Sequence, residues 1–150
     1  MAGEQGPRYG GFRRDPQTLD LFINKAGTDV AQVSSTGVAV TGALTASSLF
    51  NLGASESTVA SGVLTVTTPY VNVLPESSTT DTVDSIVYTG ATTGTLLICT
   101  STATNTITFD DANINLGAST RAVAPGGSIT LFFDGTQWTE LTFLTASDNA

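Results

Sequence analysis

The sequence predicts an all-β protein, and three observations support that prediction. Short runs of β-branched and aromatic residues recur along the chain at intervals of roughly 8–12 residues, which is typical of β architectures. Glycine, proline, serine and aspartate, the residues that form turns, fill the gaps between these runs. From residue 59 onward no convincing helical pattern interrupts them. We therefore expect an extended N-terminal arm and a short β stalk, followed by an antiparallel β-sandwich or jelly-roll-like domain.

The strongest single signal is a predicted hairpin over residues 128–143. Asp134-Gly135 stands between two runs rich in β-branched and aromatic residues, and Gly135 accepts a positive φ without steric cost. A two-residue type I′ turn at this point pairs Phe133 with Thr136. The face that results is apolar and holds Ile129, Leu131, Phe133 and Trp138.

The opposite face of the same hairpin is predicted to hold Phe132, Leu141 and Phe143. A loop one residue longer would instead place Leu141 and Phe143 beside Ile129, because a single-residue slip turns every side chain to the other face. Either way both faces carry large apolar groups, so one face fits a sandwich interior and the other fits a second contact, such as another subunit. The side chains expected to serve the core or a trimer contact are Phe132, Phe133, Trp138 and Leu141.

Eight strands are predicted between residues 59 and 143, and together they define a head domain at 57–145 with a tail at 146–150. Alternating apolar positions such as Val71 and Val73 supply its inward side chains. The predicted strands are 62–68, 70–74, 85–88, 94–100, 104–109, 113–116, 128–133 and 137–143.

A short β stalk is predicted at residues 26–56, with strand pieces at 30–33 and 38–40, and a further short strand is predicted at 19–23, before the stalk. Pieces this short bury too little surface to be stable alone. They would need the same segment of sister chains or a host surface beside them. A helix over 42–52 is the alternative for the end of the stalk, although its threonine and serine content disfavours it.

Residues 1–25 are predicted to form an extended attachment arm. Residues 1–18 contain four glycines and two prolines, so they cannot build a core and should order only on a partner. Aromatic and arginine side chains, the types enriched at interface hot spots, are interleaved in this arm. The predicted docking residues are Tyr9, Phe12, Arg13 and Arg14. The alternative is a terminus without a role.

Charge is distributed unevenly along the chain. Residues 1–25 hold four of the five basic groups, whereas residues 26–150 hold Arg121 alone among basic residues. The formal net charge is −8, which argues against nucleic acid as a partner because phosphate binding rests on lysine and arginine. A negative surface also keeps many copies soluble and apart.

The residues that enzymes and metal sites require are sparse. The chain has no histidine, the commonest general base and metal ligand, and no local nucleophile–base pair is apparent. Cys99 lies in an apolar run and is expected to be a small buried hydrophobe. Alternating oxygens from Asp111 to Asn115 resemble a calcium loop, but Ala122 stands where the bidentate glutamate is needed. We predict no enzyme activity, cofactor or metal.

No targeting or membrane segment is apparent in the sequence. Residues 1–25 lack the apolar core of a signal peptide. No apolar run approaches the ~20 residues that a membrane-spanning helix needs. We therefore expect no membrane partner.

Several segments resemble the β-domains of tailed-bacteriophage virion proteins. The likeness is seen in residues 64–66, 113–117 and 130–141, the last of which has the aromatic–Asp–Gly–Thr–polar–Trp–x–Glu–Leu hairpin found near the C-terminus of those domains. Residues 27–44 are similar to repeats in phage fibre shafts. The likeness spans about residues 20–145 and is one of pattern.

The resemblance implies a homotrimeric, non-catalytic virion protein that decorates a capsid as a head fibre or forms a short tail fibre. A chain of 150 residues favours the capsid exterior, with the arm bound to the major capsid protein or another virion protein. The rival interpretation is a carbohydrate-binding sandwich that contacts a host-surface glycan. Its sugar platform would consist of Tyr70, Tyr88 and Trp138.

Overall fold

The computed structural model describes residues 11–14, 21–25, 28–34, 37–41, 51–110 and 112–145. All the regular structure within these ranges is β-strand, so the all-β prediction is confirmed. In the described part of the chain, no helix is long and apolar enough to cross a membrane. The chain divides into two compact units, an N-terminal unit of residues 1–50 and a C-terminal unit of residues 51–150.

The N-terminal unit contains a four-stranded antiparallel meander. Its strands are β1 (Gly11–Arg14), β2 (Leu21–Lys25), β3 (Thr28–Ser34) and β4 (Gly37–Val40), which lie side by side in chain order. Strands β2 to β4 overlap the three predicted strand pieces, and both β1 and β2 lie within the predicted arm. The predicted border between residues 25 and 26 falls between β2 and β3, which pair with each other. The alternative helix lies outside the described residues up to position 50, and residues 51–52 are not helical.

The C-terminal unit contains eleven strands in three sheets. They are β5 (Ala54–Thr58), β6 (Val63–Val66), β7 (Tyr70–Leu74), β8 (Thr80–Val83), β9 (Ser85–Tyr88), β10 (Leu96–Ser101), β11 (Thr106–Asp110), β12 (Ile114–Asn115), β13 (Thr120–Val123), β14 (Ser128–Phe133) and β15 (Trp138–Leu144). The six-stranded sheet has the order β12-β15-β14-β10-β7-β5. The other two sheets are β13-β11-β8 and β6-β9.

The first part of this unit repeats a parallel path. Strands β6, β7 and β8 lie in three different sheets, and β9, β10 and β11 then follow beside them in the same order. Each later strand is parallel to its earlier partner, with Val63 opposite Ser85 and Tyr70 opposite Ile98. Neighbouring turns of a solenoid stack in this way. The hairpin β14–β15 then adds antiparallel pairing.

The predicted antiparallel pairing was therefore wrong for much of the sandwich. Five strand pairs in this unit are parallel and three are antiparallel. The alternation of apolar residues reports which face of a strand is buried. It carries no information on the direction of the neighbouring strand, which depends on the path of the chain between them.

The core lies between the sheets and is built from the alternating inward positions. Side chains from successive turns stack on one another, as Leu64 does opposite Ile86 and Val83 opposite Phe109. The buried apolar side chains are Val59, Leu64, Val66, Val71, Val73, Val83, Leu97, Cys99, Ile107, Phe109, Ile114, Leu116, Val123, Ile129, Leu131 and Trp138. All of them belong to the C-terminal unit.

The turn of the C-terminal hairpin is longer than predicted. Phe133 pairs with Trp138 rather than with Thr136, so four residues form the connection. The Asp134 carboxylate accepts hydrogen bonds from the backbone N–H groups of Thr136 (2.8 Å) and Gln137 (2.9 Å). These hydrogen bonds satisfy two backbone N–H groups of the four-residue loop. The predicted type I′ turn rested on backbone preferences alone and left out the Asp134 side chain.

A β-bulge then shifts the register between strands β14 and β15. The pairing shifts between Thr130 and Leu131, so Leu141 is left without a partner residue and Phe143 pairs with Ile129. Phe143 therefore packs against the core, whereas the predicted register placed it on the opposite face. Because the bulge adds one residue, it returns the end of the strand to the inward face.

Candidate interaction surfaces

Trp138 is a core side chain and not an exposed platform. Only 3% of its surface is exposed, and the Phe133 and Tyr88 rings lie 5.4 Å and 6.4 Å from it, centroid to centroid. Tyr70 pairs with Ile98 and alternates with the buried Val71, so it lies on the outward face of the six-stranded sheet. The three rings of the predicted sugar platform therefore do not share one surface.

An ion pair links the two sides of the sandwich next to the bulge. Nε of Arg121, on β13, donates to both carboxylate oxygens of Glu140, on β15, at 2.9 and 3.1 Å. The backbone N–H of Gly117 donates to the same carboxylate at 2.9 Å. The guanidinium of Arg121 also lies 5.2 Å from the centroid of the Phe143 ring, within cation–π range.

The electrostatics of this pair favour its charged form. Partial burial acts to raise the pKa of Glu140, but hydrogen bonds from Arg121 and Gly117 and the positive charge of Arg121 act against it. The net result is a pKa below the ordinary value of 4.5. The hydrogen bond to Glu140 likewise raises the pKa of Arg121. The pair therefore joins β13 to β15, and the guanidinium of Arg121 and the carboxylate of Glu140 bind each other.

The outward side of the six-stranded sheet, here called the outer face, carries a group of apolar side chains. Leu96 pairs with Phe132, and Ile98 pairs with Tyr70. Leu96 is 50% exposed on this face. Leu141, the bulge residue of β15 that has no partner residue in the sheet, is 52% exposed. Phe132, assigned by the sequence to the core or a trimer contact, is half-buried on this face, whereas Phe133 packs against the core.

Polar but uncharged groups fill most of the remaining outer face. Thr100 donates a hydrogen bond of 2.6 Å to Asn72 across strands β10 and β7. Thr130 and Ser128 occupy outward positions on β14. Among the outward positions of the described strands in this sheet, Glu56 on the edge strand β5 carries the only charge.

The N-terminal sheet presents a second exposed apolar group. Val33 pairs with Val38, and Ala31 pairs with Val40. All three valines are exposed, Val38 by 66%. Because paired residues share a face of an antiparallel sheet, these four residues form one small apolar surface.

The predicted docking residues that the structure describes lie on the edge strand β1. Phe12, Arg13 and Arg14 pair with Ile23, Phe22 and Leu21 of β2, so their backbone belongs to a sheet. Tyr9 lies outside the described residues.

The described residues contain no cluster of three or more histidine, cysteine, aspartate or glutamate side chains that could hold a metal ion. In the calcium-like segment, Ile114–Asn115 is strand β12, and Asp111 is not described. Burial raises the pKa of the Cys99 thiol to about 12. Since the thiolate is the nucleophilic form, this cysteine is inert while the fold is intact.

Comparison with known proteins places the C-terminal unit in a family. A family described as the phage depolymerase C-terminal beta sandwich domain matches residues 55–139. No curated protein matches the chain. The matched residues run from β5 into β15 and include nearly the whole buried core. The chain therefore belongs to the phage depolymerase C-terminal beta sandwich domain family.

Proposed function

We propose that this chain is a non-enzymatic structural protein of a phage virion, which it decorates as a homotrimer attached by its N-terminal unit. The observation that supports this most directly is the division of the chain. The family match covers the acidic sandwich, whereas a separate four-stranded sheet precedes it. One unit is thus available for display and the other for attachment.

The composition of the N-terminal unit suits attachment. Strand β1 lies at the edge of its sheet, where a partner can add a strand through backbone hydrogen bonds. It carries Phe12, Arg13 and Arg14, and the exposed valines of β3 and β4 offer apolar area in the same sheet. Three such units on one trimer would bind together at raised effective concentration, so each can be weak.

The acidic sandwich suits outward display. Residues 26–150 contain one basic group and ten carboxylates. Like charges on neighbouring particles repel each other and limit clumping. In this arrangement the coat partner binds the N-terminal unit and the sandwich faces the medium.

The location on the virion has two candidates. Attachment through the N-terminal unit, whose edge strand β1 can pair with a strand of a coat protein, favours the capsid exterior. The family name, phage depolymerase, favours the tail, where the sandwich would contact a host-surface glycan. We take the capsid as the first candidate and the tail as the second.

The test is to locate the chain on purified virions by mass spectrometry and by antibody labelling in the electron microscope. We expect label on the capsid and a chain mass in solution of about three times 15.3 kDa. A protein that lacks residues 1–50 should not bind virions. Label at the tail alone would select the second candidate, and absence from virions would contradict the proposal.

Two double variants test the mode of attachment. Phe12→Ala with Tyr9→Ala should abolish incorporation, because the aromatic anchors that a partner would bury are lost. Arg13→Ala with Arg14→Ala should weaken incorporation in a salt-dependent way, because screening reduces the contribution of exposed charges. Wild-type occupancy in both variants would show that attachment runs through another part of the chain.

A further inference from the structure

We infer that the outer face of the six-stranded sheet is the surface through which the sandwich units of separate copies of this chain pack together. This inference deepens the proposed function and rests on its homotrimer. It assigns the contact to the outward side chains of β7, β10, β14 and β15, a surface distinct from the N-terminal attachment sheet.

The first reason is the concentration of exposed apolar area. Leu96 is 50% exposed and pairs with Phe132. Ile98, two residues further along β10, pairs with Tyr70, so these four apolar side chains are neighbours on this face. Leu144, 46% exposed, pairs with Ser128 at the other end of β14. Contiguous apolar patches on a protein surface mark interaction sites, whereas scattered ones are ordinary.

The second reason is charge. The sandwich is strongly acidic, so two copies repel each other over most of their surfaces. The described outward positions of β7, β10, β14 and β15 carry no charged group, and Glu56 lies on the edge strand beyond them. Copies that meet through this face avoid placing carboxylates against one another.

The third reason is the chemistry of the occupant. Interfaces between identical subunits are more apolar than those of transient complexes and are depleted in charge at their centre. A glycan would need aromatic platforms with polar groups around them, and Tyr70 is half-buried beside Ile98. A basic partner would need carboxylates here. The face therefore fits a second copy of this chain best.

Cysteine labelling of the full-length protein tests the inference. Leu96→Cys places a thiol at the proposed contact, and Val87→Cys places one at a site 46% exposed on β9, in a different sheet. The native Cys99 is fully buried, so the introduced thiol alone should react with a maleimide. Circular dichroism and labelling in urea would establish that both variants fold and that both thiols react equally when unfolded.

We expect Leu96→Cys to react at least ~10-fold more slowly than Val87→Cys at concentrations where light scattering gives an oligomer, which corresponds to about 1.4 kcal/mol of protection. Dilution to monomer should remove the difference. Equal rates in the oligomer would overturn the inference. Protection that persists in the monomer would also overturn it, because the cover would then come from the same chain.

Introducing a negative charge at each of the two positions gives an independent test. Leu96→Glu should lower the mass measured by light scattering or raise the concentration needed for assembly, whereas Val87→Glu should leave both unchanged. The reverse pattern would contradict the assignment. If the protein is absent from virions but shows concentration-dependent protection at Leu96→Cys, the proposed function fails and this contact stands.

Discussion

The two units of this chain are both built from β-strands, yet they differ in how the strands are connected and in what they bury. The N-terminal sheet is a meander in which each strand pairs with the next one along the chain. The sandwich contains parallel strands that pair with partners from the preceding turn of the path. Val33, Val38 and Val40 of the sheet are exposed, whereas every fully buried apolar side chain of the described residues lies in the sandwich.

The pairing of strands that follow each other in the chain and the stability of a unit are therefore separate properties. A meander forms through short connections and costs little loop entropy, but a single sheet leaves one face to be covered by something else. The longer connections between parallel strands cost more conformational entropy to close, but these strands enclose a core between the sheets. We therefore expect the sandwich to account for the stability of the chain and the N-terminal sheet to provide its binding surface.

The largest expected effect is on the sandwich core. Phe109→Ala should lower the free energy of unfolding by about 3–5 kcal/mol, because it removes a fully buried ring and leaves a cavity. The matched change in the N-terminal sheet, Val38→Ala, should cost no more than about 0.5 kcal/mol because that side chain is exposed. Urea denaturation measures both. Similar losses for the two variants would contradict the assignment of stability to the sandwich.

The next effect concerns the ion pair that joins β13 to β15. Glu140→Gln should cost about 2 kcal/mol at neutral pH, since the negative charge that strengthens these hydrogen bonds is removed and one acceptor oxygen becomes an NH2 donor. Because the pKa of Glu140 is lowered on folding, its contribution is present above the ordinary value of 4.5 and is lost as the pH falls through the folded pKa. The gap between wild type and variant should therefore close in acid.

The control for the ion pair is Glu56→Gln, at an exposed position on the edge strand β5. It should change stability little at any pH. A gap between wild type and Glu140→Gln that is the same at neutral and acid pH would show that the charge of Glu140 is not what stabilises the pair.

A smaller effect is expected at the hairpin turn. Gly135 has φ +109°, and a Cβ there would lie 2.7 Å from Oγ1 of Thr93. Gly53 has φ +67° and open space around it. Gly53→Ala should cost about 1 kcal/mol for the left-handed backbone, and Gly135→Ala should cost about 1 kcal/mol more. Equal melting temperatures for the two variants would mean that the loop rearranges freely.

The smallest effect is expected from removal of the N-terminal unit. Deleting residues 1–50 should change the free energy of unfolding of the sandwich by no more than about 0.5 kcal/mol, because every buried apolar side chain among the described residues lies beyond that boundary. Calorimetry of the truncated protein should show one cooperative transition. Non-cooperative melting would mean that the N-terminal unit belongs to the core.

How much of the fold the sequence predicts depends on the kind of strand. Strands β7, β9 and β14 begin and end where the pattern places them, because each is rich in β-branched or aromatic residues and lies between clear turn formers. Strands β5, β8 and β13 were missed. Each holds at most one buried side chain among polar residues, so the neighbouring strand rather than its own pattern determines its conformation.

The candidate surfaces were predicted less completely, because they depend on the pairing register of the β14–β15 hairpin. The sequence indicated that both hairpin faces carry large apolar groups, but the bulge that reassigns Phe143 leaves no signature in the spacing. The Arg121–Glu140 pair was also missed. The one signal for it was a lone basic residue in an otherwise acidic and apolar stretch, and its partner became apparent only with the packing of β13 against β15.

Thiol labelling on intact virions tests whether the N-terminal unit attaches the chain and the sandwich faces outward. Val38→Cys reports on the N-terminal sheet and Val87→Cys on the sandwich, and both positions are exposed in the isolated chain. We expect both thiols to react in free protein, and on virions Val87→Cys alone to react. Equal reaction of Val38→Cys on virions and in free protein, with Val87→Cys protected, would contradict the account.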